Sequence, residues 1–230
     1  MTYTDKKIVI TGGSKGFGKA LAEAFIKEGA KVVITSTNAT ELRKTAQDIG
    51  AESFVADASD FEHTVQLAKY AKEKFGKIDI WVNNAGIQIA PSNTEDVEID
   101  KLHKLFSINY FGYFYGCKVA LGVMKKQNSG QIININSTAG LSGKPQLSAY
   151  VSSKFAIKGL SETIREEVKE TNIQVYQIFP GGMQTDIYHE KMPADINEYM
   201  LVDYAIEKVI SNFKQDRPEL DLVIKRPTNL

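Results

Sequence analysis

A single-domain α/β fold is what the sequence predicts for residues 1–230: a doubly wound parallel sheet of about seven strands, flanked by helices in three layers. Three observations lead there. Short β-branched runs alternate with longer helical patterns along the whole chain. Most of those runs are continuously apolar instead of alternating, as parallel strands covered on both faces require. No linker, repeat or low-complexity stretch breaks the succession, and 230 residues suffice for one core.

The first strand is expected at 7–11 ("KIVIT") and the second at 31–35 ("KVVIT"), with a helix at about 17–28 between them. "SFVA" (53–56) follows a helix at 39–49, and "IDIWVN" (78–83) follows one at 60–75. A long helical pattern at 97–126 leads to "QIININ" (131–136), and another at 149–170 leads to "QVYQIF" (174–179). A last helix at 202–214 precedes "DLVIK" (221–225). Strand and helix in strict succession build right-handed crossover units. Segment 181–200 carries glycine and proline without a period, and reads as a substrate lid or else a plain surface loop.

Lysine plus arginine equal aspartate plus glutamate at 28 each, so nothing in the charge points to nucleic acid or an anionic membrane. The lone Cys117 has no partner for an intrachain disulfide and reads as a small packed side chain. His63, His103 and His189 lack metal-ligand spacing. "MTYTDKK" lacks the apolar middle of a signal peptide, and no run approaches the ~20 apolar residues of a membrane span. The expectation is a cytoplasmic protein.

"TGGSKGFG" (11–18) sits between the first strand and the first helix, the context that gives a glycine motif meaning. Gly12 can make the turn out of the strand, Gly16 can let backbone approach a pyrophosphate, and Gly18 can let helix and sheet pack closely. Phosphates would then rest on the free N–H groups of a helix starting near Phe17. A glycine-rich turn without a ligand is the alternative.

The spacing T-G-x-x-x-G-x-G resembles the signature of the short-chain dehydrogenase/reductase family, and further motifs fall where that resemblance requires. "NNAG" (83–86) follows the fourth strand, Asp57 follows the third, and "PGGMQT" (180–185) follows the sixth. Asn109 lies in the long fourth helix, Ser137 ends the fifth strand, and "YVSSK" supplies Tyr150 and Lys154. The resemblance implies a Rossmann fold that binds a nicotinamide dinucleotide. Gly12, Ser14, Lys15, Gly16, Phe17, Gly18, Asp57, Ala58, Asn84, Ala85, Gly86, Tyr150, Lys154, Pro180, Gly181, Met183 and Thr185 would line its site. It also implies Asn109, Ser137, Tyr150 and Lys154 as the catalytic set. By that likeness, Tyr150 exchanges a proton with the substrate oxygen and Lys154 holds the ribose. Ser137 bonds the oxygen, and Asn109 opens its helix and links Lys154 to solvent.

The residues support that chemistry independently. Tyr150 and Lys154, four apart in a helical pattern, project from one face. A phenol titrating near ~10 needs a shift of ~3 units to act at neutral pH. A fixed ammonium and an oxidised nicotinamide both push that way. Ser137 stands at a strand end, where parallel sheets build their sites. Asn109 can instead satisfy neighbouring backbone groups, and Asp57 or Asp60 can cap the third helix.

NADP(H) is expected over NAD(H). From Ala30 to Thr40 no acid is present to accept ribose hydroxyls or repel a 2′-phosphate. Ser36, Thr37 and Asn38 can donate to a phosphate, and Lys15 matches a basic position in NADP-preferring relatives. An arginine often found in such relatives is replaced by Thr37.

Segments 87–95, 138–147 and 181–200 should face the substrate. Their partly apolar residues and lack of a basic cluster favour a small carbonyl or alcohol without strong negative charge. The ending "ELDLVIKRPTNL" departs from the family's glycine-rich close. "INYFGYFYGCKVALGVM" (108–124) is unusually aromatic for an exposed helix, which fits a homodimer or homotetramer or simply a core-facing helix. Two rival functions stand beside the NADP(H)-dependent oxidoreductase: an isomerase or dehydratase of the same superfamily, and a non-catalytic NADP(H)-sensing regulator.

Overall fold

The computed structural model describes residues 3–188 and 190–226; His189 lies outside them. Seven parallel strands form one sheet: β1 (Lys7–Ile10), β2 (Lys31–Ser36), β3 (Glu52–Val55), β4 (Ile80–Asn83), β5 (Gly130–Ile135), β6 (Ile173–Pro180) and β7 (Asp221–Ile224). Their order in space is β3-β2-β1-β4-β5-β6-β7. Register runs straight across the centre, with Val9 beside Val33 on one side and Trp81 on the other.

The continuous apolar runs are explained by two cores. Ile8, Ile10, Ile34, Val82, Ile133 and Ile178 point to one face; Val9, Val33, Trp81, Ile132 and Val175 point to the other. α1 (Gly16–Lys27), α2 (Ala39–Ile49) and α7 (Val202–Lys214) cover the first with Leu21, Phe25, Leu42, Val209 and Phe213. The second lies under the helices between β3 and β4, β4 and β5, and β5 and β6. These are α3 (Phe61–Phe75), α4 (Ile99–Phe106) with α5 (Gly112–Gln127), and α6 (Ser148–Val168), and Leu67, Met124 and Ile164 fill it. Each such side chain, fully buried, contributes roughly 1.5–3 kcal/mol. Asn38 and Asp60 cap α2 and α3 through the N–H groups of Glu41 and His63.

The helix expected at 97–126 is divided. α4 and α5 are joined by a π-helical turn over Ser107–Phe111, with a short 3-10 turn at Thr94–Asp96 ahead. Segment 181–200 contains two 3-10 turns, Asp186–Tyr188 and Ile196–Glu198, and its ends meet in a parallel bridge between Met183 and Met200. Among the described residues no helix is long and apolar enough to cross a membrane.

The winding reverses between β1 and β4. The chain leaves β1 toward β2 and leaves β4 toward β5, so the carboxyl ends of these neighbours part and leave a crevice.

Candidate active site

A cleft of about 570 Å³ occupies that crevice. Every residue named above for the site lines it except Asn38 and Asn109.

The glycine loop forms its floor. Gly12 has φ +65, and the turn it makes carries the chain out of β1. A Cβ on Gly18 would come closer than 3.0 Å to the Gly12 carbonyl oxygen and to Asn84 Nδ2, so helix and loop meet as bare backbone. α1 begins at Gly16 with no side chain capping it and no acid in its first turn. Its leading N–H groups and positive end therefore remain for an anion. "NNAG" fastens this loop to β4. Asn84 Nδ2 donates to the carbonyls of Thr11 (2.8 Å) and Gly12 (2.9 Å), and Thr11 Oγ1 accepts from the N–H groups of Asn84 and Ala85. Asn83 points away into a buried network with Trp81, Asn134 and Cys117. Burial there pushes the Cys117 thiol up to about 12, which makes it a packed, inert group.

On the β2–β3 side, Asp57 lines the cleft and accepts from the N–H and hydroxyl of Ser59, while Asp60 is the helix cap. Ser36 and Thr37 also line it. Asn38 does not, because its Oδ1 is spent capping α2. One acid was invisible to the sequence window: Glu41 Oε2 accepts from Ser14 Oγ at 2.9 Å, from the first turn of α2. Lys15 Nζ lies 3.6 Å from Asp186 in the 181–200 segment, both side chains more than half exposed.

At the other end Ser137, Tyr150 and Lys154 converge. Ser137 stands two residues past β5, its hydroxyl accepting from the Ala139 N–H and acting on the Tyr150 phenol. Tyr150 and Lys154 leave the first turns of α6 on one face, both buried. Lys154 Nζ donates to the Ile135 carbonyl at 3.2 Å and lies 5.6 Å from the Tyr150 ring centre. A residue sequence reasoning passed over shares that carbonyl. Tyr113 Oη donates to it at 2.7 Å, and the Tyr113 ring lies 5.4 Å from Lys154 Nζ. Tyr113 is one helical turn beyond Asn109 on the same face, the signal that could have found it.

Asn109 is fully buried inside the π-turn. Its Oδ1 accepts from the Ile87 N–H and its Nδ2 donates to the Ile87 carbonyl, both at 2.9 Å, with Ser153 Oγ behind. Its amide therefore pins the strand-to-helix loop. Ser153 in turn donates to the Tyr150 carbonyl.

The expectation that Lys154 makes Tyr150 acidic requires correction for the protein's own side chains. Burial pushes the Tyr150 phenol up to about 12, with the Ser137 hydrogen bond working against it. Burial also brings the Lys154 amine down to about 7. A desolvated amine gives up its charge before it can support a phenolate. The sign for stability follows. Between about pH 7 and 10.5 the unfolded chain holds a proton on this lysine that the folded chain has released, so stability rises with pH across that interval. Urea denaturation at pH 7 and about pH 9 should show the wild type more stable at the higher pH, and Lys154→Met should flatten that rise.

Residues 6–196 match the family model described as short chain dehydrogenase. The chain is 35% identical over 180 residues to Oxidoreductase BOA17 of Botryotinia fuckeliana, covering 77% of this chain and 65% of that one. It is 35% identical over 188 residues to mouse 3-ketodihydrosphingosine reductase, covering 77% and 56%. The chain thus spans between about half and two thirds of the length of these relatives. An NADP-dependent (R)-specific alcohol dehydrogenase of Lentilactobacillus kefiri is 36% identical over 189 residues, covering 79% and 75%. Among solved structures, the 3-ketoacyl-(acyl-carrier-protein) reductase of Brucella melitensis complexed with NADH superposes with TM-score 0.90 at 25% identity, over 99% of this chain and all of that one. With the model spanning most of its length and the sheet, crevice and glycine loop in place, this chain belongs to the short-chain dehydrogenase family.

Proposed function

We propose that the protein is an NADP(H)-dependent oxidoreductase that interconverts a small carbonyl compound and its alcohol. The observation that carries this reading is the meeting of Ser137, Tyr150 and Lys154 at the end of the cleft opposite the adenosine-side residues. The long cleft, the bare-backbone floor and the uncapped start of α1 fit a dinucleotide. Gly12, Ser14, Gly16 and Phe17 would hold its diphosphate, and Asp57, Ala58, Ala85 and Gly86 its adenosine. Pro180, Gly181, Met183 and Thr185 would flank the nicotinamide. When bound, the cofactor supplies the hydride and a positive ring in its oxidised form.

The chain's own residues manage the proton. Tyr150 Oη gives it to the substrate oxygen in reduction and takes it back in oxidation. Ser137 donates a hydrogen bond where negative charge grows on that oxygen. Lys154, held by the Ile135 carbonyl, places its amine against the phenol ring. Asn109 positions the loop that carries Ile87. Retention of all four residues disfavours a non-catalytic regulator, and the glycine spacing disfavours an isomerase or dehydratase.

Lys15, Ser36 and Thr37, with no acid directly after β2, support NADPH over NADH. Glu41 reduces the margin: it accepts the Ser14 hydroxyl's hydrogen bond and sets a carboxylate beside the loop. Titration should find NADPH bound more tightly than NADH, and Glu41→Gln should strengthen NADPH several-fold with NADH little changed. NADH binding the more tightly would overturn the assignment.

The aromatic stretch is partly outward. Phe111 and Phe114 are exposed and form a ring cluster with Tyr110, Tyr115 and Phe61, a face that a second copy in a homodimer or homotetramer would cover.

A further inference from the structure

Building on the oxidoreductase reading above, we propose that the substrate carries a carboxylate and that Arg226 receives it, making the compound an oxo acid or the corresponding hydroxy acid. Arg226 lies two residues past β7, outside the three segments from which sequence reasoning assembled the substrate surface. β7 delivers it to the cleft. Pro180 pairs with Ile224, and the Gly181 N–H donates to the Ile224 carbonyl at 2.9 Å. The tail therefore emerges beside the Gly181–Gly182 turn, and Arg226 lines the cleft.

Its guanidinium is oriented. The central carbon stacks over the Tyr199 ring at 4.0 Å, and Tyr199 packs edge-on against Tyr188 at 5.7 Å between ring centres. Tyr188 feels both Tyr150 and Arg226 electrostatically: burial and Tyr150 raise its phenol while Arg226 opposes them. Arg226 thus shares the end of the cleft that holds Tyr150.

Bases outnumber acids in the cleft lining: Lys15, Lys144, Lys154 and Arg226 stand against Asp57 and Asp186. The acids lining the cleft are Asp57 and Asp186, the first engaged by Ser59 and the second by Lys15. The lining also contributes Lys144, from the 138–147 loop, and Arg226. Behind Arg226, Asp195 Oδ2 stands 3.8 Å from Nη2, beyond the ~2.7–2.9 Å of a charge-assisted hydrogen bond. A guanidinium seated on the Tyr199 ring and paired with Asp195 only at 3.8 Å keeps a fork matched to a carboxylate.

The test uses linear oxo acids of increasing chain length and their methyl esters. NADPH absorbance follows turnover, and calorimetry follows binding of each acid to protein saturated with NADP+. The expected result is that one or more acids exceed their own esters in kcat/KM by about tenfold, since a charged hydrogen-bonded pair supplies at least that much discrimination. Arg226→Gln should cut the acid-to-ester ratio by about tenfold, and Arg226→Lys should restore part of it, keeping charge but losing the fork. Esters favoured throughout the series, or a ratio unmoved in Arg226→Gln, overturns the proposal. Acids that bind in an Arg226-dependent way without oxidising NADPH would sink the oxidoreductase reading and leave the carboxylate site standing. Acids that neither bind nor react refute the site.

Discussion

Tyr150→Phe should lower kcat by about 10³-fold, roughly 4 kcal/mol of transition-state stabilisation, while NADPH affinity stays within about twofold. The substitution removes one oxygen and keeps the ring. That ring packs in the small cluster of Leu105, Ala139 and Ala149, so the site keeps its shape. What disappears is the phenol oxygen on which the Ser137 hydroxyl acts. Stopped-flow reduction of an accepted ketone measures the loss, and quenching of NADPH fluorescence measures the affinity. A variant that turns over at the parent rate would show that the proton comes from elsewhere, and Tyr188, which also lines the cleft, would be the next phenol to remove.

Gly18→Ala should be the most damaging single methyl in the cofactor half. The added carbon would fall closer than 3.0 Å to the Gly12 carbonyl oxygen and to Asn84 Nδ2. The first is backbone, and the second is tied by two hydrogen bonds, so neither can step aside cheaply. Overpacking of this kind costs about 1–3 kcal/mol, and here it also pries α1 from the loop that would hold the diphosphate. The expected outcome is a lower urea midpoint together with a loss of NADPH affinity of about 100-fold. Unchanged affinity in a folded variant would mean that the diphosphate does not rest on this loop.

The sheet was legible because its strands are buried on both faces. Ile8, Val9 and Ile10 read as one apolar run, and the structure sends them alternately to two cores. Helix termini were legible where a cap marks them, as at Asn38 and Asp60. The π-turn was not: Ser107–Phe111 keeps a helical pattern in sequence, and only the Ile87 backbone across the crevice explains why Asn109 sits there. The motif residues that line the cleft were named from the family resemblance, which fixes their positions at loops and strand ends. Capping and phosphate donation favour the same residue types, and Asn38 Oδ1 accepts from the Glu41 N–H as the cap of α2. Glu41 and Arg226 escaped for a different reason. Tertiary packing places both: Glu41, in the first turn of α2, reaches Ser14, and Arg226, beyond the last strand, lines the cleft. The pairing of Lys154 with Tyr150 was visible; the effect of burial on both was not, because a sequence carries no dielectric.

The contact between Lys15 and Asp186 joins the glycine loop to the 181–200 segment, and both residues line the cleft. Such an exposed pair is worth only about 0.2–1 kcal/mol, a clasp light enough to open at every encounter. On the proposed NADP(H) reading, an incoming phosphate would compete for the same ammonium and release Asp186. Arrival of the nucleotide and loosening of the cover would then be mechanically coupled, so the two reactants would enter in a fixed succession, coenzyme leading.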